Sequence, residues 1–110
     1  KTYVLLDIEG NSAQKEEERK ITQFAALIFH NGEIEEINLM NRNVNYINPY
    51  VRRMTHISVN KCKNIGCTER RLVEEVHKLH KKGKMIVIAS HYIEKYHLLQ
   101  NNIINLTEYD

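Results

Sequence analysis

The chain has 110 residues, 42% of them hydrophobic, with one proline, four glycines and no tryptophan. That composition fills one domain around one core and excludes a disordered tail, a collagen-like fibre and a comfortable pair of domains. Sixteen basic and fourteen acidic residues leave a net charge of +2, too mild on its own to identify a nucleic-acid binder.

In chain order, Tyr3 to Ile8 reads as a central strand, apolar throughout until Asp7 and followed by Glu9-Gly10. Ser12 to Lys20 is a polar, Glu-rich loop. Ile21 to Phe29 is a second apolar run, and His30-Asn31-Gly32 supplies a hairpin signal, so Glu33 to Met40 returns antiparallel. Asn41 to Pro49 is loop, and Tyr50 to Met54 is one short helical turn. Met54, Ile57 and Val59 read as core. Thr68 is an N-cap, after which Leu72, Val73, Val76, Leu79 and His80 recur at helical spacing, with Glu74 and Lys78 as an i,i+4 pair, and Gly83 ends the helix. Met85 to Ala89 is another buried strand. His91 to Asn102 is a second amphipathic helix with Ile93, Tyr96, Leu99 and Ile103 on one side. A meander plus a strand-helix-strand crossover predicts a mixed sheet in an α/β domain.

Most basic clusters (Arg52-Arg53, Lys61 and Lys63, Arg70-Arg71, Lys81-Lys82) fall in the second half, and the acidic run Glu16-Glu17-Glu18 falls in the first. Such a one-sided surface suits a phosphate backbone, and solvated helix faces account for the same counts. No apolar run approaches the roughly 20 residues that span a bilayer. Two cysteines suit a reducing compartment, so a cytoplasmic protein without a membrane partner is expected. The start at Lys1-Thr2-Tyr3 has no signal-peptide architecture and no initiating Met, which reads as a fragment or a processed chain. Cys62, Cys67, His77 and His80 form a loose zinc-like spacing with short intervals around the histidines. We expect the cysteines to be reduced and metal-free.

The chemistry is concentrated at the end of the first strand. Side chains alternate along a strand, so Asp7 and Glu9 share one face while Ile8 points to the other. Two adjacent carboxylates repel, and a divalent cation relieves the repulsion. The plainer alternative is that Asp7 opens a turn and Glu9 is merely exposed. The carboxyl end of a central strand favours the metal reading, because α/β sheets open their crevices there.

Four phrases then resemble the DnaQ-like 3′-5′ exonucleases of the RNase H-like fold, including epsilon-type proofreading domains and exonuclease domains attached to helicases. YVLLDIEGN (3–11) resembles the first motif, Asp-x-Glu on the first strand. ITQFAALIFHNGEI (21–34) resembles the second strand, turn and third strand. INPYVRRMTHIS (47–58) resembles the family's Asn-Pro followed by Leu-Thr-Gly-Ile-Thr, and MIVIASHYIEKYHLLQNN (85–102) resembles the fourth strand and the helix of the second motif. The resemblance covers nearly the whole chain. It implies a mixed sheet with flanking helices, incomplete at the C-terminus, as one exonuclease domain over residues 1–110.

The resemblance further implies hydrolysis of DNA or RNA 3′ ends with two Mg²⁺ or Mn²⁺ ions. It assigns Asp7 and Glu9 to catalysis and to the metal. Glu94 is the nearest carboxylate to the second-motif Asp, whose place is taken by Lys95, Tyr96 or His97. Asn11, His91 and Tyr92 are the candidates for nucleic-acid contact. Asn11 follows Glu9-Gly10 where the family carries Thr-Thr-Gly. His91 stands near the second motif's His or is an ordinary helix residue, and Tyr92 can stack on a base. Arg52 and Arg53 either meet phosphate or are solvated. The third motif would lie beyond Asp110. A larger polypeptide or a replication or repair partner fits the same reading. The alternative is a catalytically inactive DnaQ-like module that binds nucleic acid or a protein.

Overall fold

The computed structural model describes residues 2–87 and 103–105. Five strands form one sheet in the order β3-β2-β1-β4-β5, with β1 (Thr2–Gly10) in the middle. β2 (Ile21–His30) runs antiparallel to β1, and β3 (Glu33–Met40) runs antiparallel to β2. β4 (Lys84–Val87) and β5 (Ile103–Asn105) continue the sheet in parallel on the other side of β1. The mixed α/β sheet expected from the sequence is the observed one.

Local chemistry accounts for the meander. His30 pairs with Glu33 across the two residues Asn31 and Gly32, whose φ angles of 51° and 80° are those of a primed hairpin turn. β-branched and apolar residues fill β1 and β2, and their even positions face inward. Val4, Leu6 and Ile8 pack with Phe24, Ala26 and Ile28 beneath Leu72, Val76 and Leu79 of helix α3 (Glu69–Lys82). Thr68 caps α3 by accepting the Arg71 N–H at 3.2 Å, and Gly83 follows its last residue. Glu74 pairs with Arg70 at 3.3 Å and Lys78 with Glu75 at 3.2 Å, so the expected Glu74–Lys78 pair is replaced by two alternatives on the same surface. Both partners are within a helical turn, and exposed pairs of this kind differ by only a few tenths of a kcal/mol.

A smaller core forms beyond β3. Helix α1 (Pro49–Thr55) starts at Asn48, whose side chain accepts the Tyr50 N–H at 2.9 Å. Helix α2 (Val59–Ile65), absent from the sequence reading, starts at Ser58, which accepts the Lys61 N–H at 3.1 Å. Met40, Val44, Ile47, Ile57 and Cys62 are buried together, with Val51 and Val59 packed against them. Met54, expected in the core, is 65% exposed. It lies on the outer face of a two-turn helix whose inner face is already filled by Val51.

β5 is the other departure, because Ile103 belongs to a parallel strand and not to a helix face. The helix expected over 91–102 and the expected end of the fourth strand at Ala89 lie outside the described residues. Among the described residues, no helix is long and apolar enough to cross a membrane.

Candidate metal centre

The odd positions of β1 face away from α3, so Asp7 and Glu9 leave the sheet on the same side, both half-buried. Asp7 lies opposite Ala25 and Glu9 opposite Gln23, and the register shifts between Glu9 and Gly10. That irregularity shifts the pairing by one residue just past the pair, and the ladder resumes at Gly10–Ile21, with the Asn11 N–H bonded to the Lys20 carbonyl at 3.0 Å. Leu6 is level with Val87, so the described part of β4 runs beside β1 up to the residue before Asp7. Gln23 donates to the Asn38 side chain at 2.6 Å.

The electrostatics match the geometry. Burial pushes the Glu9 carboxyl above its usual 4.5, and the neighbouring Asp7 pushes it further. Neither carboxylate has a hydrogen-bond or ion-pair partner among the described residues. Two oxygen-donor groups on one face, with negative charge already costly there, are a fitting donor set for a hard divalent cation. Among the described residues no group of three or more His, Cys, Asp or Glu gathers around a common point.

Asn11 has a different role from the one expected. Its side chain is 2% exposed. The amide nitrogen donates to the carbonyls of Glu18 at 2.9 Å and Tyr46 at 3.1 Å, and its oxygen accepts from the N–H groups of Lys20 at 3.0 Å and Ala13 at 3.4 Å. Both donors and both acceptor positions are used, leaving no hydrogen-bonding capacity for a nucleotide. Asn11 instead ties the loop at Glu16–Glu18, which forms one 3₁₀ turn, to the segment leading into α1. Its own carbonyl accepts the Asn48 N–H at 2.9 Å. Glu94, His91 and Tyr92 lie outside the described residues, as does Tyr96.

The second core flanks the pair. Glu9, Gln23 and Met40 face each other across β1, β2 and β3, and Met40 belongs to the α1–α2 core. With strands about 4.8 Å apart, that core begins roughly 10 Å from Glu9 on the carboxylate face. Tyr50 is 62% exposed on α1, four residues before Met54. The sequence reading passed over Tyr50, although the Asn48-Pro49 helix start and the i,i+4 spacing marked both residues as sharing a face.

Cys62 and Cys67 are free thiols. Cys62 is buried, its thiol donating to the Thr22 carbonyl at 3.9 Å, and burial raises its pKa above 9.0. Cys67 donates to the Met40 carbonyl at 3.6 Å.

Known structures share this architecture. A product-bound exonuclease I superposes with a TM-score of 0.66 at 17% identity, over 84% of this chain and 22% of that one. The fold is that of the exonucleases. A full-length 3′-exonuclease matches with a TM-score of 0.64 at 17% identity, over 86% of this chain and 48% of its own length. Exonuclease I from E. coli in complex with a 5cy-dA13 oligonucleotide matches with a TM-score of 0.63 at 16% identity, over 84% and 21% of the two chains. The chain therefore spans about a fifth to a half of the length of these structures. No protein-family model and no curated protein matches the sequence. The mixed α/β sheet expected above is thus shared with these exonuclease structures at 16–17% identity.

Proposed function

We propose that this chain supplies the strand-borne metal ligands of a 3′-5′ exonuclease that acts on nucleic-acid ends with Mg²⁺ or Mn²⁺. The observation that carries this reading is the pair Asp7 and Glu9, half-buried on one face at the carboxyl end of the central strand, with burial and Asp7 raising the Glu9 pKa. Asp7 and Glu9 hold the cation through carboxylate oxygens, the donors that hard cations require. When bound, such ions polarise the scissile phosphate and lower the pKa of the attacking water. The β1 backbone sets the spacing of the two carboxylates. The register shift at Glu9/Gly10 follows the pair directly. Exonuclease I structures with single-stranded DNA support a nucleic-acid partner, and a zinc-bound form of that enzyme supports a divalent metal.

A second reading, the same fold as a binding module without cleavage, is favoured by the ligand count. A two-ion site needs more carboxylates than Asp7 and Glu9, and Lys95, Tyr96 or His97 stands where the resemblance places the next one. The two readings separate in one pair of measurements. The 110-residue chain should bind Mn²⁺ weakly, and Asp7→Ala should abolish that binding. On a labelled oligonucleotide with Mn²⁺, the exonuclease reading expects slow loss of the 3′ end that disappears in Asp7→Ala. Mn²⁺ binding without digestion selects the binding module, and digestion that survives Asp7→Ala overturns the assignment of the site.

A further inference from the structure

Helix α1 has an exposed face with no role in either core. Tyr50, Arg53 and Met54 stand at i, i+3 and i+4, so they share that face, and all three are exposed. Two large apolar side chains at 62% and 65% exposure on a seven-residue helix contribute nothing to its packing, which rests on Val51. The charge along this stretch of chain is one-sided. Residues 37–68 contain five cations, Arg42, Arg52, Arg53, Lys61 and Lys63, and no Asp or Glu, although the whole chain carries 14 acidic residues. All five cations are exposed.

Two independent ties place α1 beside the carboxylate pair. The Asn48 N–H at the start of α1 binds the Asn11 carbonyl at 2.9 Å, and Asn11 is two residues, about 7 Å of strand, beyond Glu9. On the other side, the row Glu9–Gln23–Met40 leads straight into the core on which α1 sits.

We propose that Tyr50, with Arg53 and Met54 beside it, is a stacking platform for the unpaired bases of a single-stranded nucleic acid whose end reaches Asp7 and Glu9. The inference rests on the nuclease-fold reading above and specifies its substrate as single-stranded. An aromatic face takes any base, while a guanidinium three residues along takes the phosphate between bases or stacks in turn. The cation-rich stretch is complementary to a polyanion, with the acidic turn Glu16–Glu18, tied by Asn11 to the segment before α1, at its border.

The test uses the 110-residue chain and a fluorescein-labelled oligothymidylate, with binding followed by anisotropy in EDTA so that no metal contributes. Tyr50→Ala should weaken binding about 5- to 100-fold, the range for loss of one base-aromatic stack. Tyr50→Phe should bind like the parent, because the ring is retained. Arg53→Ala should weaken binding and lower the slope of log affinity against log salt by about 0.7, one single-strand phosphate contact. A fully paired blunt duplex of the same length should bind more weakly than the single strand. Tyr50 is exposed, so circular dichroism should show Tyr50→Ala fully folded, and its Mn²⁺ titration should match the parent. Parent-like binding by Tyr50→Ala, equal affinity for the duplex, or no binding of the oligonucleotide would each overturn the platform. None of these outcomes depends on Asp7 or Glu9, and failure of Mn²⁺ binding leaves the platform test intact.

Discussion

Glu9 is a residue held at an electrostatic cost. Its folded pKa is raised, chiefly by burial and then by Asp7, so the folded state favours the protonated carboxyl. The associated stability is present below the ordinary value of 4.5 and is lost as pH rises through the elevated value. At neutral pH the metal-free fold therefore carries an adverse charge. Glu9→Gln should raise the urea midpoint of the metal-free protein near pH 7 by the equivalent of a few tenths to about 1 kcal/mol, the scale of a partly screened charge pair. The gain should vanish at about pH 4, where Glu9 is already protonated. Mn²⁺ should stabilise the parent and fail to stabilise Glu9→Gln to the same extent. A Gln variant that is less stable than the parent at pH 7 would refute the charge argument.

Short connecting elements hold the site's surroundings in place. The loop between β1 and β2 hangs on Asn11, whose amide bonds two carbonyls and two N–H groups. Asn11→Asp keeps the size and the acceptors but faces an anion towards the carbonyls of Glu18 and Tyr46. We expect a loss of about 2–4 kcal/mol, from two lost donors and a half-compensated buried charge, read as a shift of the urea midpoint at unchanged slope. Gly66 has a comparable role at the end of α2. A Cβ there would collide with the Cys62 carbonyl and stand 2.7 Å from the Arg42 nitrogen, where the chain passes β3 with Cys67 bridged to Asn41. Gly66→Ala should destabilise by about 1–3 kcal/mol, because both neighbours are backbone that cannot swing aside. His56 ends α1 with φ of 59°, a left-handed conformation that a glycine adopts at lower cost.

Across the whole molecule, stability rests on the larger core under α3. Leu72 is fully buried among β1 and β2 side chains. Leu72→Ala should remove about 2–5 kcal/mol, a drop in melting temperature of roughly 4–8 °C per kcal/mol for a domain of this size. The two cores lie on opposite faces of the sheet at its carboxylate end. Leu6 and Ile8 enter the α3 core, while Met40, in line with Glu9, enters the other. The carboxylate face is thus stiffened from behind and from one flank while the pair itself remains half-exposed.

Sequence alone determined the features that depend on near neighbours. Alternation along β1 set Asp7 and Glu9 on one face, Asn31-Gly32 closed the hairpin in register, and Thr68 with Leu72, Val76 and Leu79 announced α3, because each signal is complete within a few residues. Tertiary structure alone decided the rest. α2 has one fully buried residue, Cys62, and only seven residues, two of them Asn and two β-branched, so its helix is stabilised by packing against Met40 and Val44 more than by propensity. The described residues of β5, Ile103–Asn105, pair in parallel with β4, a partner distant in sequence from most of the sheet. Asn11 is polar and sits in a polar loop, so nothing local distinguishes a surface contact from a buried hub. Its fate was settled by the carbonyl of Tyr46, 35 residues away. Met54 reads as apolar and therefore internal, yet a two-turn helix has only one inner face, and Val51 occupies it. Periodicity identifies the faces of an element, but which face meets the core depends on contacts made by distant parts of the chain.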